Sequence, residues 1–234
     1  MPEFLNTLPQ IEKWLEGQKI ADYQIVQSAD QLVVNAKGFI QFQGLESIAV
    51  KFNRIEGSMS VRQCAISTLE FAPRIVTEHF SCPDNQLSSL LGAPEYVGGN
   101  FNCVCNKLTS LRWGPQTVVG YYKCDYNQLT TLEGSPKVID SFFSCSDNQL
   151  KTLEYCPQII QGNFYLECNP LETLEYFPQR VDGDIFTTQI PYLSHLHNKF
   201  LFESYWEFVQ LERQRSALNA QVPRAHERSR EYKV

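Results

Sequence analysis

The sequence predicts an α/β solenoid, in which about seven coils of 21 residues stack along a parallel β-sheet. Two observations lead to this prediction. The same residue frame is repeated without a single insertion or deletion, and the frame is centred on one polar side chain. That side chain recurs at a constant step of 21 residues, as Asn85, Asn106, Asn127, Asn148 and Asn169, with Cys64 one step earlier. A fixed period of this length indicates units that stack on one another rather than a globular enzyme core.

Each asparagine has the same neighbours. An aromatic residue lies five positions before it, and leucines lie two and five positions after it. A proline and then a β-branched residue complete the frame. In the central copy these residues are Tyr122, Leu129, Leu132, Pro136 and Ile139. The frame therefore predicts one short strand at the aromatic residue, two leucines in the core and an extended return after the proline.

The asparagine has a predicted structural role. Its side-chain amide can satisfy backbone groups where the chain turns out of the sheet. Because the coils stack at about 4.8 Å, successive amides are expected to form a ladder along the solenoid.

The frame F-x-C-x-x-N-x-L-x-x-L resembles the leucine-rich repeat, and the segment NQLTTLEGSPKVIDSFFSCSDNQL carries the resemblance most clearly. The chain is especially similar to the short-repeat versions found in bacterial effectors and bacteriophage proteins. The resemblance implies a concave face, formed by the strand residues that alternate with the core, on which a protein partner docks. A plain parallel β-helix is the alternative that the residues leave open.

The ends of the chain do not repeat, and we predict three regions. Residues 1–37 form an N-terminal cap, with a helix in LPQIEKWLEGQKI and a hairpin in DYQIVQSADQLVVNAKG. Residues 38–184 form the array. Residues 185–234 form a C-terminal cap, with a helix in HNKFLFESYWEFVQLERQRSALNA and a basic tail.

The charge is distributed unevenly along the chain. Six cations and three carboxylates follow residue 211, so this tail carries +3, and the formal net charge of −6 leaves −9 on residues 1–211. Such a body is acidic enough for solubility and steering, but not dense enough in charge to mimic a nucleic acid. A nucleic-acid contact through the tail stays an alternative.

The cysteine spacing argues against a metal site or a disulfide framework. Four of the eight cysteines hold the strand position that leucine takes in most such repeats, namely Cys82, Cys103, Cys124 and Cys145. No C-x-x-C pair occurs. We expect buried, reduced thiols and neither metal nor cofactor. Reduced thiols, with no signal peptide and no long apolar run, predict a cytoplasmic protein, or one in the host cytoplasm if it is viral.

No catalytic signature is present: the chain lacks G-x-S-x-G, a phosphate-binding glycine loop and H-E-x-x-H. We therefore expect a binding protein rather than an enzyme, although an enzyme of unrecognised type stays open. By register, the concave face has aromatic residues in three successive coils beside charged ones. The predicted partner-binding residues are Tyr121, Lys123, Asp125, Phe142, Tyr165 and Glu167. The alternative is that Tyr121 and Phe142 pack against the neighbouring coil.

These observations lead to one functional hypothesis and two alternatives. The hypothesis is a non-enzymatic module that binds a protein, encoded by a bacteriophage and inhibiting a host defence protein. The alternatives are a nucleic-acid-associated protein acting through the basic tail and a structural or oligomeric component. Neither a membrane nor a cofactor is expected, and the oligomeric state stays open.

Overall fold

The computed structural model describes residues 4–172 and 175–188. This part of the chain forms a parallel β-solenoid of about seven coils. One helix, α1 (Leu8–Gly17), and three longer strands come first: β1 (Tyr23–Ser28), β2 (Gln31–Gln43) and β3 (Phe52–Arg62). Twelve strands of two residues each then build the array.

One strand from each coil forms the front ladder. It consists of β5 (Phe80–Ser81), β7 (Phe101–Asn102), β9 (Tyr122–Lys123), β11 (Phe143–Ser144), β13 (Phe164–Tyr165) and β15 (Ile185–Phe186). Each strand is parallel to the next, and paired residues are 21 positions apart, as Tyr122 and Phe143 are. The 21-residue period and the parallel sheet are therefore confirmed.

A second ladder runs along the back wall. It consists of β4 (Ile75–Val76), β6 (Tyr96–Val97), β8 (Thr117–Val118), β10 (Val138–Ile139), β12 (Ile159–Ile160) and β14 (Arg180–Val181). The pairing is interrupted between β8 and β10. Within the described ranges the coils contain no helix, so the architecture is a parallel β-solenoid with one short helix rather than an α/β array.

The core contains the residues that the repeat predicts. The five aromatic residues of the front ladder are fully buried, as are the cysteines two positions later in four coils. Neighbouring core rings are in contact, with the Phe101 and Tyr122 centroids 4.8 Å apart. Leu129 and Leu132 close the same coil from another wall. Each coil thus buries its apolar side chains against the coils on either side.

The predicted asparagine ladder is present. Asn127 donates from Nδ2 to the carbonyl oxygens of Cys103, Cys124 and Asp125, at 3.1, 3.1 and 3.2 Å. Its Oδ1 accepts from the backbone N–H of Leu108 at 3.0 Å. The other four asparagines repeat the pattern. The residue before each asparagine is left-handed, with φ of 53–55° at Asp84, Cys105, Tyr126, Asp147 and Cys168.

The two ends differ in what the structure describes. Ile11 and Leu15 of α1 are buried, and β2 pairs antiparallel with β1 and parallel with β3. That this region acts as a cap stays a prediction, as do the three region boundaries. The front ladder continues through β15, past residue 184. The predicted C-terminal helix and basic tail lie outside the described residues.

One core position differs chemically from its equivalents. Tyr122 stands where the neighbouring coils have phenylalanine, and its buried hydroxyl has no hydrogen-bond partner among the described residues. Gly114 makes room for it, since a Cβ at that glycine would lie 2.9 Å from the hydroxyl oxygen. An unpaired buried hydroxyl is destabilising because its hydration is lost and not replaced.

Replacing Tyr122 by phenylalanine is therefore expected to raise the free energy of unfolding by about 1–2 kcal/mol. Urea unfolding measures the change. Tyr126→Phe is the matched control, because Tyr126 is 60% exposed and its hydroxyl is in solvent. A lower stability for Tyr122→Phe would show that the hydroxyl has a partner in solution.

Candidate functional site

The front ladder presents two rows of side chains on the face away from the core. The first row lies directly before each buried aromatic residue and the second lies directly after it. From His79 onwards the first row reads His79, Asn100, Tyr121, Phe142, Asn163 and Asp184. The second row reads Ser81, Asn102, Lys123, Ser144, Tyr165 and Phe186. Polar residues hold most positions, and aromatic residues cluster in the last four coils.

These aromatic residues form a continuous surface, called here the aromatic ribbon, of Tyr121, Phe142, Tyr165 and Phe186. The Tyr121 and Phe142 rings stack with centroids 4.6 Å apart, and Phe142 meets Tyr165 edge to face at 5.7 Å. Tyr165 stacks on Phe186 at 4.5 Å. All four side chains are half-buried. The ribbon crosses four coils, a length of about 14 Å.

Polar groups fix the edges of the ribbon. The Lys123 Nζ lies 6.0 Å from the centroid of the Phe142 ring, within the range of a cation–π contact. Asn163 donates from Nδ2 to the Tyr165 hydroxyl oxygen at 2.9 Å, which orients that ring. Glu167 is half-buried at the next position along the same strand direction. The rings are thus held in defined positions before any partner arrives.

The first row has a structural task wherever its residue is polar. The Ser58 Oγ accepts from the backbone N–H of His79 at 3.2 Å, and the His79 Nδ1 accepts from the N–H of Asn100 at 2.9 Å. The Oδ1 of Asn100 accepts from the N–H of Tyr121 at 3.1 Å. Asn163 does the same for Asp184 at 2.9 Å. Each side chain thus satisfies the backbone of the next coil, forming an acceptor ladder.

The aromatic ribbon interrupts this acceptor ladder. Within the described coils, the side chains of Tyr121 and Phe142 accept no hydrogen bond from the N–H of the next coil. A serine, histidine or asparagine performs that task in four other coils. Residues that break a local structural rule without a structural gain are the ones to examine for function.

Of the six predicted site residues, five lie at this surface and Asp125 lies beneath it. Asp125 is only 6% exposed. Its Oδ1 accepts from the hydroxyl of Ser144 and, at 2.9 Å, from the backbone N–H of Ser146. The carboxylate therefore holds the adjacent coil in place instead of facing a partner.

Phe186 is a ribbon residue that the sequence analysis missed. It lies 21 positions after Tyr165 and pairs with it in the ladder. The predicted array ended at residue 184, so the position was not examined. Extending the register by one coil would have found it.

All eight cysteines are free, and six of them are buried. Burial raises the pKa of the Cys82 thiol to about 12 and the pKa values of Cys103, Cys124 and Cys145 well above their ordinary value. These thiols are therefore neutral and unreactive at physiological pH. In the part of the chain that the structure describes, no group of three or more His, Cys, Asp or Glu side chains could hold a metal ion.

Thiol chemistry gives a direct check of this burial. Only Cys105 and Cys168 are exposed, so two thiols are expected to react with a disulfide reagent in the native protein and all eight in denaturant. Desolvation, and then the carboxylate of Asp84 or Asp147, raises the pKa of these two thiols. They are therefore expected to react more slowly at pH 8 than free cysteine. More than two fast native thiols would contradict the buried ladder.

The wider comparisons add no identity. Comparisons with known protein families, with curated proteins and with solved structures find no match to this chain. Among residues 4–172 and 175–188, no helix is long and apolar enough to cross a membrane.

Proposed function

We propose that this protein is a non-enzymatic binding protein of the leucine-rich-repeat type, which holds a protein partner on its aromatic ribbon. The observation that carries the proposal is the interruption of the acceptor ladder. At Tyr121 and Phe142 the chain gives up an acceptor that serves the backbone of the next coil and presents a ring to the surface instead. A solenoid selected only for stability has no reason to make that exchange.

The physical properties of the ribbon suit a protein interface. Large, rigid rings supply contact area at a small cost in side-chain entropy, and aromatic residues are frequent among the side chains that dominate binding energy. The four rings are in contact with one another and so offer one continuous apolar strip. Lys123 and Glu167 give this strip a polar rim, which is the usual arrangement of such interfaces.

The resemblance to short-repeat bacterial and bacteriophage proteins supports a more specific proposal. In it, a bacteriophage encodes the protein, and the protein acts in the host cytoplasm by covering a surface of a host protein. Inhibition of a defence protein is the outcome that fits a small binder without catalytic groups. This step rests on the repeat sequence and not on the geometry of the ribbon.

Affinity capture with matched variants tests the proposal. The tagged full chain is incubated with bacterial lysate beside Tyr121→Ala/Phe142→Ala/Tyr165→Ala, and bound proteins are quantified by mass spectrometry. The control replaces three exposed tyrosines outside the ribbon, Tyr126, Tyr155 and Tyr176, by alanine. We expect one stoichiometric protein with the wild type and the control, and about 100-fold less with the ribbon variant.

Two outcomes would overturn the proposal. Equal capture by the ribbon variant would place recognition elsewhere on the chain. Capture that disappears on nuclease treatment and on deletion of residues 212–234 would favour the nucleic-acid alternative, whose binding should also fall steeply with salt.

A further inference from the structure

A second exposed aromatic residue lies on a different wall of the solenoid. At the second residue after Leu90 and Leu111, and at the equivalent position in three later coils, the backbone is left-handed. Glycine holds this position twice, with φ of +89° at Gly92 and +98° at Gly134, while Trp113 holds it with φ of +70°. Glycine adopts this conformation without strain, whereas a bulky residue is destabilised by roughly 1–2 kcal/mol.

Trp113 gains little burial in return for that strain. It is 66% exposed, the highest value among the large apolar side chains of the described residues. Core packing therefore does not account for an indole at this position. A strained residue that faces solvent is the kind of outlier from which a functional hypothesis is reasonably drawn.

The neighbouring coil breaks its own repeat at the adjacent position. The residue before the left-handed one is charged in every other coil, as Glu70, Arg112, Glu133, Glu154 and Glu175. Leu91 is the exception, and it is 52% exposed. The two departures from the repeat, Leu91 and Trp113, line the same groove.

This groove is formed between the N-terminal segment and the turns of the array. Its volume is about 650 Å³, and Phe4, Ala72 and Ala93 line it together with Leu91 and Trp113. The backbone N–H of Leu5 donates to the carbonyl oxygen of Ala49 at 2.8 Å, which fixes the segment that carries Phe4. The groove volume is within the range of about 300–1,000 Å³ typical of ligand sites.

The charged residues of the groove cancel. Lys51 and Arg74 are matched by Glu70 and Glu95, and the Arg74 Nη2 lies 2.9 Å from the Glu95 Oε2. A site with an apolar lining and no net charge complements a neutral apolar group. It does not complement a phosphate backbone or an anionic lipid surface, both of which need uncompensated cations.

We propose that this groove binds an apolar anchor residue, aliphatic or aromatic, presented by a segment of a partner protein. Leu91 and the Trp113 indole contact the anchor, and the paired charges at the rim lie beside the backbone of the bound segment. The groove and the aromatic ribbon are separate surfaces, since β8 lies between Trp113 and Tyr121 in the same coil. The groove therefore functions whether or not the ribbon is a binding site.

Selection from a random twelve-residue peptide library, displayed on phage, tests this site. The full chain is the target, and the affinity of each enriched peptide is then measured by isothermal titration. We expect the enriched peptides to share a leucine, phenylalanine or similar anchor. Binding should be at least 10-fold weaker to Trp113→Gly and to Leu91→Glu, and unchanged by the triple ribbon substitution.

Both groove variants restore the residue type that other coils use, so they are expected to fold. Tyr155→Gly is the matched control, because it removes an exposed aromatic residue from the same left-handed position, with φ of +67°, in another coil. Failure to enrich any peptide would overturn the inference. So would enriched peptides without an apolar anchor, or equal affinity for wild type and Trp113→Gly.

Discussion

Replacing Asn127 by alanine is expected to lower the free energy of unfolding by roughly 3–6 kcal/mol. The asparagine amide pairs with three backbone carbonyl oxygens and one backbone N–H, contributed by two adjacent coils. The side chain is only 8% exposed, so water does not readily take its place. Removing it leaves the buried N–H of Leu108 without an acceptor in the middle of the array.

Urea unfolding of the full chain measures this loss. Gln128→Ala is the control, because Gln128 is the exposed neighbour and surface substitutions usually change stability by less than about 0.5 kcal/mol. Asn127→Asp is a second, sharper variant. It keeps the acceptor for Leu108 but places a carboxylate against three carbonyl oxygens, so it should lose at least as much stability as alanine. A loss below about 1 kcal/mol for Asn127→Ala would show that the ladder contributes little.

The second large effect is expected in the hydrophobic core. Leu129 is fully buried in a central coil, and Leu129→Ala should cost about 2–5 kcal/mol because it removes buried contacts and leaves a cavity. In a solenoid each coil contacts only its neighbours, so a cavity in the middle weakens the coupling between the two halves. We therefore also expect a broader unfolding transition than in the wild type.

Denaturant titration followed by circular dichroism checks both the loss and the breadth. Gln149→Ala serves as the comparison, since Gln149 is exposed in the adjacent coil. Wild-type stability for Leu129→Ala would mean that this leucine does not close the core.

The repeat made the core predictable, because burial follows directly from the alternation of a strand and from a strict period. The sites of Tyr122, Leu129 and Asn127 therefore follow from the sequence alone. The back ladder did not follow, since its β-branched residues, such as Ile139, suggest only a core wall. The left-handed turn before each asparagine carries no glycine signal either, because aspartate, cysteine and tyrosine hold it.

The candidate site was predictable in part, for a different reason. Three rings of the ribbon follow from register, but the acceptor ladder does not, because serine, histidine and asparagine share only the ability to accept a hydrogen bond. Their common role becomes visible when the N–H of the next coil is located. Asp125 misled the analysis because a carboxylate predicts exposure, whereas Ser144 and Ser146 of the next coil surround this one.

The central claim is that Tyr121 and Phe142 serve recognition rather than packing. The stability of Tyr121→Asn/Phe142→Asn tests it without a known partner, because asparagine is the ladder residue in two other coils. Two restored hydrogen bonds, each contributing about 0.5–1.5 kcal/mol, should offset the lost ring contacts, which are of similar size. We expect an unfolding free energy within about 1 kcal/mol of wild type. A loss above about 3 kcal/mol, comparable to deletion of a core side chain, would contradict the claim and show that the rings hold the array together.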